Sequence, residues 1–371
     1  MTPDKEGFAY PVVQDDLCVE CGLCTKVCPE LQPEACLNPR GTLYAAQAKS
    51  NAVLERSSSG GIFSVVAEHI LQQGGAVVGA ELNDQMKVCH AVVDSQEDLI
   101  RLCGSKYVQS DTTGIYREVK DLLKAGRLVF FTGTPCQVAA LNLYLGKLYD
   151  NLLTADLVCH GTPSPLMFGM LVEYLEHKYK GKMTDYHFRS KTMIGWTHTS
   201  SSSSYADKGR TFRVYYDEMM RAFQKSFLAG HVLRMDCYRC PFARPERTGD
   251  FTMADFWSLD KTNPNFPRKH RGVSMLMVNT DKGQRIIEQC ASQLYRESAD
   301  LDIVLSGRNV QLKQPADLTP EREGIFDFLR NNPDGFIGKY LNGDLAGDKR
   351  RFYITAIKEH IKKAIHYGGQ Y

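Results

Sequence analysis

Cysteine is the residue type in this chain with the most chemistry to offer, and the 12 cysteines fall into two groups. Cys18, Cys21, Cys24, Cys28 and Cys36 crowd the first tenth of the sequence, while Cys136, Cys159, Cys237 and Cys240 are spread through its middle. The run CVECGLCTKVCP has the C-x2-C-x2-C-x3-C-P spacing of bacterial ferredoxins. Three thiolates spaced this way wrap three irons of one 4Fe-4S cubane, and in two-cluster ferredoxins the fourth cysteine serves the other cluster. A zinc knuckle needs four tetrahedral ligands, usually in two distant pairs, and fits the run poorly. The count leaves Cys18, Cys21 and Cys24 one thiolate short. Either Cys28 or Cys36 bends round to complete the cubane, or a second run ahead of Met1 supplies the ligand. The second is the expectation, which makes the N-terminal cluster incomplete and Cys28 an orphan.

Cys136 lies in a Gly133-Thr134-Pro135-Cys136 turn between a strand and a helix, where the helix dipole favours a thiolate. Cys159 ends another strand beside His160-Gly161. If those strands are neighbours, both thiols emerge at the carboxyl edge of a sheet, where open α/β folds place their sites. Cys237 and Cys240, spaced C-x2-C in a loop, can close over them. Four thiolates from three segments suit a second 4Fe-4S cluster, and the spacing alone equally allows zinc or a redox dithiol. Cys89, Cys103 and Cys290 stand alone in apolar or helical contexts, read as small hydrophobes without a role.

A second kind of chemistry is suggested by Ser57-Ser58-Ser59-Gly60-Gly61 opening a helix. Glycines let the backbone approach an anion, hydroxyls donate, and the helix start offers amides; a plain serine cap reads the same way. Gly104-Ser105-Lys106-Tyr107-Val108-Gln109-Ser110 adds a cation and donors suited to a phosphate or a flavin ring. Arg189, Lys191 and Trp196 form a further polar and aromatic group, as do Asp250, Asp255 and Trp257.

The elements that must position these residues are legible as a pattern. IFSVVAEHILQQ reads as a helix stopped by Gly74-Gly75, AVVGAEL as a strand, REVKDLLKAG as a helix and LVFF as a strand. A helix follows from Gln137 to Leu145, then the strand LLTADLV. Strand and helix alternating this way predicts a mixed, mostly parallel α/β sheet. HFRSKTMIGW, Ser200 to Ser204 and TFRVYY read as hairpin or loop, and DEMMRAFQKSFLAG as helix. The stretch from Cys237 to Trp257 reads as a site-lining loop, GVSMLMVNT as a strand and KGQRIIEQCASQLY as a helix. The last segment is a basic amphipathic helix with Ile354, Ile357, Ile361 and Ile365 on one face and Lys358, Lys362 and Lys363 elsewhere, expected to dock on the body with its basic face solvated.

Composition bounds the rest. The 371 residues are 43% hydrophobic and 24% charged, ordinary for a globular chain that needs no disulfide staples. With 45 basic against 43 acidic residues there is no electropositive field for nucleic acid, so none is expected as a partner. No apolar run approaches the ~20 residues that span a bilayer, and MTPDKEGFAY has no signal-peptide pattern, so a cytoplasmic chain with no integral membrane segment is expected. The basic stretch Arg268-Lys269-His270-Arg271 reads as a solvated loop.

Together these segments resemble the coenzyme F-420 hydrogenase/dehydrogenase beta-subunit family. The matching strings are CVECGLCTKVCP, RSSSGG, GSKYVQS, FTGTPCQVAAL, DLVCHGTPS, FRSKTMIGW, CYRCPFA and DFTMADFW, in that order over roughly residues 5 to 280. The resemblance implies FAD in the core domain with iron-sulfur clusters exchanging single electrons with it. By that resemblance Ser58, Ser59, Gly60, Gly61, Ser105, Lys106, Tyr107 and Gln109 contact FAD, with Thr134 beside them, and Cys136, Cys159, Cys237 and Cys240 hold the core cluster. Cys18, Cys21, Cys24 and Cys28 belong to the N-terminal cluster. Two departures stand out: members with the ferredoxin segment usually carry two cysteine runs, and the family's DFWG is DFWS here, with Ser258. The family is functionally mixed, including deazaflavin oxidoreductases and chlorophyll-pathway reductases. The implied organisation is a partial ferredoxin-like 4Fe-4S segment at 1–40, an FAD and 4Fe-4S core at 41–320 and a helical tail at 321–371.

The function expected is hydride exchange at FAD with a deazaflavin or similar carrier, coupled to clusters and a ferredoxin or other redox subunit. Lys106, His160, Arg189 and Lys191 are the candidates to stabilise reduced flavin or a polyanionic substrate, His160 also as proton donor or as a hydrogen-bond donor to cluster sulfurs. The alternatives are an electron-transfer subunit without substrate chemistry and a zinc-stabilised binding module. Self-association stays open.

Overall fold

Short β-branched and aromatic runs separated by amphipathic helices cannot bury their apolar faces alone, and here they stack into layers. The computed structural model describes residues 1–198 and 200–367, with the side chains beyond 361 outside the described set. Its strands are β1 (Thr2–Pro3), β2 (Ala9–Tyr10), β3 (Thr42–Ala48), β4 (Ala76–Leu82), β5 (Val88–Val93), β6 (Val129–Gly133), β7 (Leu152–Leu157), β8 (Lys182–His187), β9 (Ser202–Asp207), β10 (Arg210–Val214), β11 (Phe251–Asp255), β12 (Ser274–Val278) and β13 (Leu294–Ser298). Eight of them form one sheet in the order β13-β3-β12-β11-β7-β6-β4-β5. The central ladders β11-β7, β7-β6 and β6-β4 are parallel, and the flanking ones are antiparallel. Thus β3, β4, β6, β7 and β11 point one way and present their carboxyl ends along one edge.

Helices cover both faces, so the central strands are apolar on both sides. Val77, Phe130 and Leu153 pack with the helix Ile62–Gln72, while Val78, Val129 and Phe131 meet the helices Ile115–Lys124 and Pro135–Leu145 on the other face. That is the two-residue side-chain period of a strand read across the sheet. The hairpin β9-β10, joined by β8, forms a small antiparallel sheet. It packs in a third core with the helices Pro165–Tyr179, Glu218–Leu228, Ile325–Asn331 and Pro333–Leu341. The fold is therefore α/β with a helical C-terminal region.

Three expectations change. The stretch from Cys237 to Trp257 is not loop throughout, because Phe251–Asp255 is the central strand β11, buried between β7 and β12. The helix carrying Cys136 begins at Pro135, with Thr134 and Gln137 closing a capping box. The final helix, Leu345–Tyr367, docks through Asp348, Phe352 and Ala356, spaced by four, against Ile194, Tyr216, Arg221 and Lys225. Ile354, Ile357 and Ile361 stay exposed, and Ile365, Lys362 and Lys363 fall outside the described side chains. No helix among the described residues is long and apolar enough to cross a membrane.

Candidate functional site

The site grows from the carboxyl edge of the parallel strands. β6 and β7 are neighbours in parallel register, Gly133 opposite Asp156, so Cys136 and Cys159 emerge side by side from consecutive crossovers. The loop bearing Cys237 and Cys240 folds over them. Arg234 N donates to Thr162 O at 3.0 Å, and the Cys237 sulfur lies 3.8 Å from Thr162 Oγ1. Burial pushes the Cys136 thiol up to about 11, with Cys237 adding to it and the Thr134 hydroxyl opposing. Burial pushes Cys240 up to about 12, Cys136 and Cys237 contributing. Burial also raises Cys159 well above the usual thiol range, and Cys237, Cys136 and Cys240 each push it further. Each thiol thus feels its fellows at a half-buried sheet edge. Among the described residues, no three His, Cys, Asp or Glu side chains converge closely enough for a single metal ion.

The N-terminal run is held at both ends against this set. On one side Phe8 is fully buried against Phe326, the Gln109 side chain pairs with Ala9 N and O at 2.9 and 3.2 Å, and the Arg234 guanidinium lies 3.8 Å over the Tyr10 ring while donating to Ala9 O. On the other, Asn38 N donates to Arg247 O at 2.7 Å. Between the anchors Cys18, Cys21 and Cys24 are exposed, Cys21 just before and Cys24 within the four-residue helix Leu23–Lys26. Glu30 faces the core set: burial and the Asp236 carboxylate raise it, and it acts in turn on Cys136 and Cys240. Cys36 does not turn toward the run. It is buried against Ala139, Phe242, Cys136 and Cys240, its sulfur 3.7 Å from Ala139 O, and burial raises it.

The serine-glycine segment sits beside the start of β12. Gly60 N donates to Ser274 Oγ at 2.9 Å, and a Cβ on Gly60 would lie 2.4 Å from Ala46 O, so only glycine fits. Gly61, at φ +81°, opens the helix Ile62–Gln72 with no capping side chain, leaving its first amides for an anion. The hydroxyls are partly used: Ser58 Oγ accepts from Ser105 N at 2.9 Å and keeps its own proton, and Ser59 Oγ donates to Val273 O at 2.9 Å. The first bond joins the Ser58 and Ser105 segments, and the second ties Ser59 to the residue before β12.

The cations show a similar commitment. Lys191 gives its protons to Leu54 O, Ser59 O and Arg271 O at 2.7, 3.1 and 3.1 Å, and burial lowers it to about 8. It therefore braces the cradle from behind, with no donor left for an anion. Lys106 donates to Arg101 O and Cys103 O, and burial lowers it also to about 8. Arg189 is buried, paired with Asp255 Oδ2 at 2.8 Å, bonded to Trp196 O, and 4.9 Å over Trp257, which stacks on Trp196 at 5.4 Å. Arg189 Nε and Asp255 Oδ1 remain buried without partners. Asp250 lies at the opposite end of β11, bound to Thr154 and Thr280, and leaves the Asp255 and Trp257 group. The basic stretch lies at the surface, where Arg268 pairs with Lys49 O and Asn51, Lys269 with Asp260 and Arg271 with Glu55 in exposed contacts.

His160 cannot serve as the free proton donor expected. Nε2 donates to Phe227 O at 3.1 Å, which leaves Nδ1 to accept from Gln311 Nε2 at 2.8 Å, and burial lowers its pKa. It is a neutral, fixed ring. Phe227 stacks on Tyr107 at 4.7 Å and meets His160 edge-on at 5.2 Å, linking the Ser105 segment to the residue after Cys159. Gln109 is taken up by Ala9. Phe227, Gln311, Asp156 and Arg247 escape the sequence reading, because their roles rest on partners 67 to 151 residues away that no spacing reveals. Ser258, the departure from DFWG, accepts from Arg308 N, and Gly307 leaves room for it: a Cβ there would lie 2.0 Å from Ser258 Oγ.

No curated protein sequence matches the chain. A chain of the F420-reducing [NiFe] hydrogenase complex from Methanosarcina barkeri is similar at 18% identity and a TM-score of 0.48, over 75% of this chain and 90% of that one. The model of the coenzyme F420 hydrogenase/dehydrogenase beta subunit N-terminus matches residues 43–115 and that of its C-terminus matches residues 126–303. On those matches, which take in the serine-glycine cradle and all four core cysteines, the chain belongs to the coenzyme F420 hydrogenase/dehydrogenase beta subunit family.

Proposed function

We propose that the chain is a flavin- and iron-sulfur-dependent oxidoreductase passing electrons between a hydride carrier and a ferredoxin or partner redox subunit. The observation that carries this reading is the half-buried set Cys136, Cys159, Cys237 and Cys240, gathered from three segments on one sheet edge and electrostatically coupled. Four thiols taken from separate elements fit the four corners of a cubane. The uncapped helix start at Gly61, beside the braced Ser58 to Gly60 turn, fits the diphosphate of FAD. When bound, FAD would supply the conversion between a hydride and single electrons.

The chain's own residues then have distinct tasks. Ser58, Ser59 and Lys191 shape the cradle, with Gly60 and Gly61 permitting close approach. Thr134 bonds the Cys136 sulfur at 3.1 Å and would tune the core cluster. Arg189 and Asp255, each with one unpartnered buried atom, would hydrogen-bond a polar ring edge. Cys18, Cys21 and Cys24 would hold an exposed cluster where a protein partner can reach it, and the anchored Glu30 segment keeps it beside the core set.

Iron, sulfide, zinc and flavin per chain on protein purified without oxygen test the reading. One flavin with about four irons supports a core cluster and an incomplete run, and about eight irons a run completed with Cys28. Zinc without flavin overturns it. Cys240→Ser is expected to remove the core-cluster absorbance. Turnover of a hydride donor with an artificial one-electron acceptor separates an enzyme from a relay subunit.

A further inference from the structure

One fully buried ion pair reaches toward three of the four core cysteines. Arg247 and Asp156 have side chains 1% and 0% exposed. Asp156 Oδ1 accepts from Arg247 Nε and Nη2 at 3.2 and 3.0 Å, and Oδ2 accepts from Thr248 N, Thr248 Oγ1 and Gly249 N at 2.8, 2.9 and 3.0 Å. Nε also meets Thr252 Oγ1 on β11 at 3.3 Å, and the remaining donors go to main chain: Nη1 to Phe242 O and Arg244 O at 2.9 and 3.0 Å, Nη2 to Leu157 O at 2.8 Å. Thr248 Oγ1 shares its one proton between Asp156 Oδ2 and Pro135 O, the latter at 3.2 Å.

Those acceptors are not scattered. Phe242 lies two residues after Cys240, Leu157 two before Cys159, and Pro135 immediately before Cys136. We propose that the Asp156–Arg247–Thr248 unit is a positioning device for the core cluster, fixing the Cys240 loop against the strand ends that carry Cys136 and Cys159. The inference rests on the core-cluster reading above. A buried pair of this kind is weak evidence for stability alone, since apolar residues of equal volume often replace one without loss. A planar fork with five donors, aimed at one loop and the two neighbouring strands β7 and β11, instead fixes geometry, which a lysine in the same place cannot reproduce. Gly249 belongs to the arrangement, because a Cβ there would lie 2.7 Å from Asp156 N.

The test uses the whole chain purified without oxygen, comparing Arg247→Lys and the milder, isosteric Thr248→Val with the parent. Iron content, the electron paramagnetic resonance spectrum of the reduced core cluster and its reduction midpoint are read beside flavin content and thermal melting. Both variants are expected to fold and keep flavin. Arg247→Lys should lose at least about threefold of the core iron or shift the spectrum and midpoint, and Thr248→Val should shift them less. Variants that melt earlier yet keep the parent's iron, spectrum and midpoint overturn the proposal and leave the core-cluster reading standing. A parent with no signal that depends on Cys240 overturns that reading first, and this inference with it.

Discussion

Cys18, Cys21 and Cys24 stand exposed on a segment whose helix is four residues long, whereas Cys136, Cys159, Cys237 and Cys240 are drawn from a strand-helix turn, a strand end and a loop into one half-buried group. The first set is organised by sequence spacing, and its local loop needs only a few residues to present three sulfurs. The second is organised by the sheet, and needs β6 and β7 side by side and a buried arginine to bring the CYRC loop across. The difference predicts which set depends on the fold and which on what covers it.

The largest expected contrast is in thiol reactivity. In metal-stripped protein at pH 8, a thiol held at about 11 is about one-thousandth thiolate, whereas a free thiol near 8.5 is about one-quarter thiolate. Cys136 and Cys240 should therefore alkylate at least about 100-fold more slowly than a free thiol, with access slowing them further, and Cys18, Cys21 and Cys24 should be modified first. Peptide mapping over a time course reads this. Equal rates for the two sets would break the comparison.

A smaller effect belongs to the cradle. Lys191→Met strips a charged donor from three carbonyls, each such bond being worth about 1.5 to 3 kcal/mol, and should weaken flavin binding by tenfold or more. Burial lowers Lys191 and Lys106 to about 8 from the ordinary 10.5. Between those values the unfolded chain keeps protons that the folded chain has lost, so these groups make the fold more stable as pH rises from 8 toward 10.5. Flavin affinity should move the other way, since the cradle loses positive charge over the same window. Melting and flavin titration from pH 7 to 10 should show opposite slopes, and Lys191→Met should flatten both.

Gln109→Ala sharpens the contrast between anchor and site. Losing the two bonds to Ala9 should cost about 1 to 2 kcal/mol in unfolding experiments and expose residues 11–32 to protease, leaving core-cluster absorbance unchanged. Loss of that absorbance would mean that the strap holds the core as well.

Much of the scaffold was legible because its signals are local. The helix over Ile62–Gln72, the strands β4, β6 and β7 and the strand-end placement of Cys136 and Cys159 follow from period, glycine punctuation and turn chemistry. β11 was hidden because it is only five residues long, and the preceding Pro- and Arg-rich stretch looked like more loop. The roles of Lys191, Gln109 and Arg247 were hidden for another reason. Their residue types signalled binding or surface charge, but Lys191 bonds backbone 80 to 137 residues away, Gln109 backbone 100 away, and Arg247 joins nearby carbonyls to Leu157 O 90 away. Only the assembled fold shows that these polar groups are already occupied.

The smallest effect bears on the residue whose expected role changes most. If His160 were the proton donor to the flavin, its removal would cost about 10² to 10⁴ in rate and delete a limb of the pH profile. Its Nε2 proton is instead given to Phe227 O, and Nδ1 is filled by Gln311. His160→Gln keeps a donor near Phe227 O and loses only the acceptor for Gln311, so stability should fall by about 0.5 to 1.5 kcal/mol. Turnover with a hydride donor should stay within about threefold of the parent, and the pH profile should keep its shape. A lost limb would return His160 to the chemistry. An unchanged profile would leave it holding Phe227, and through Phe227 the ring of Tyr107, between the cradle and the core cysteines.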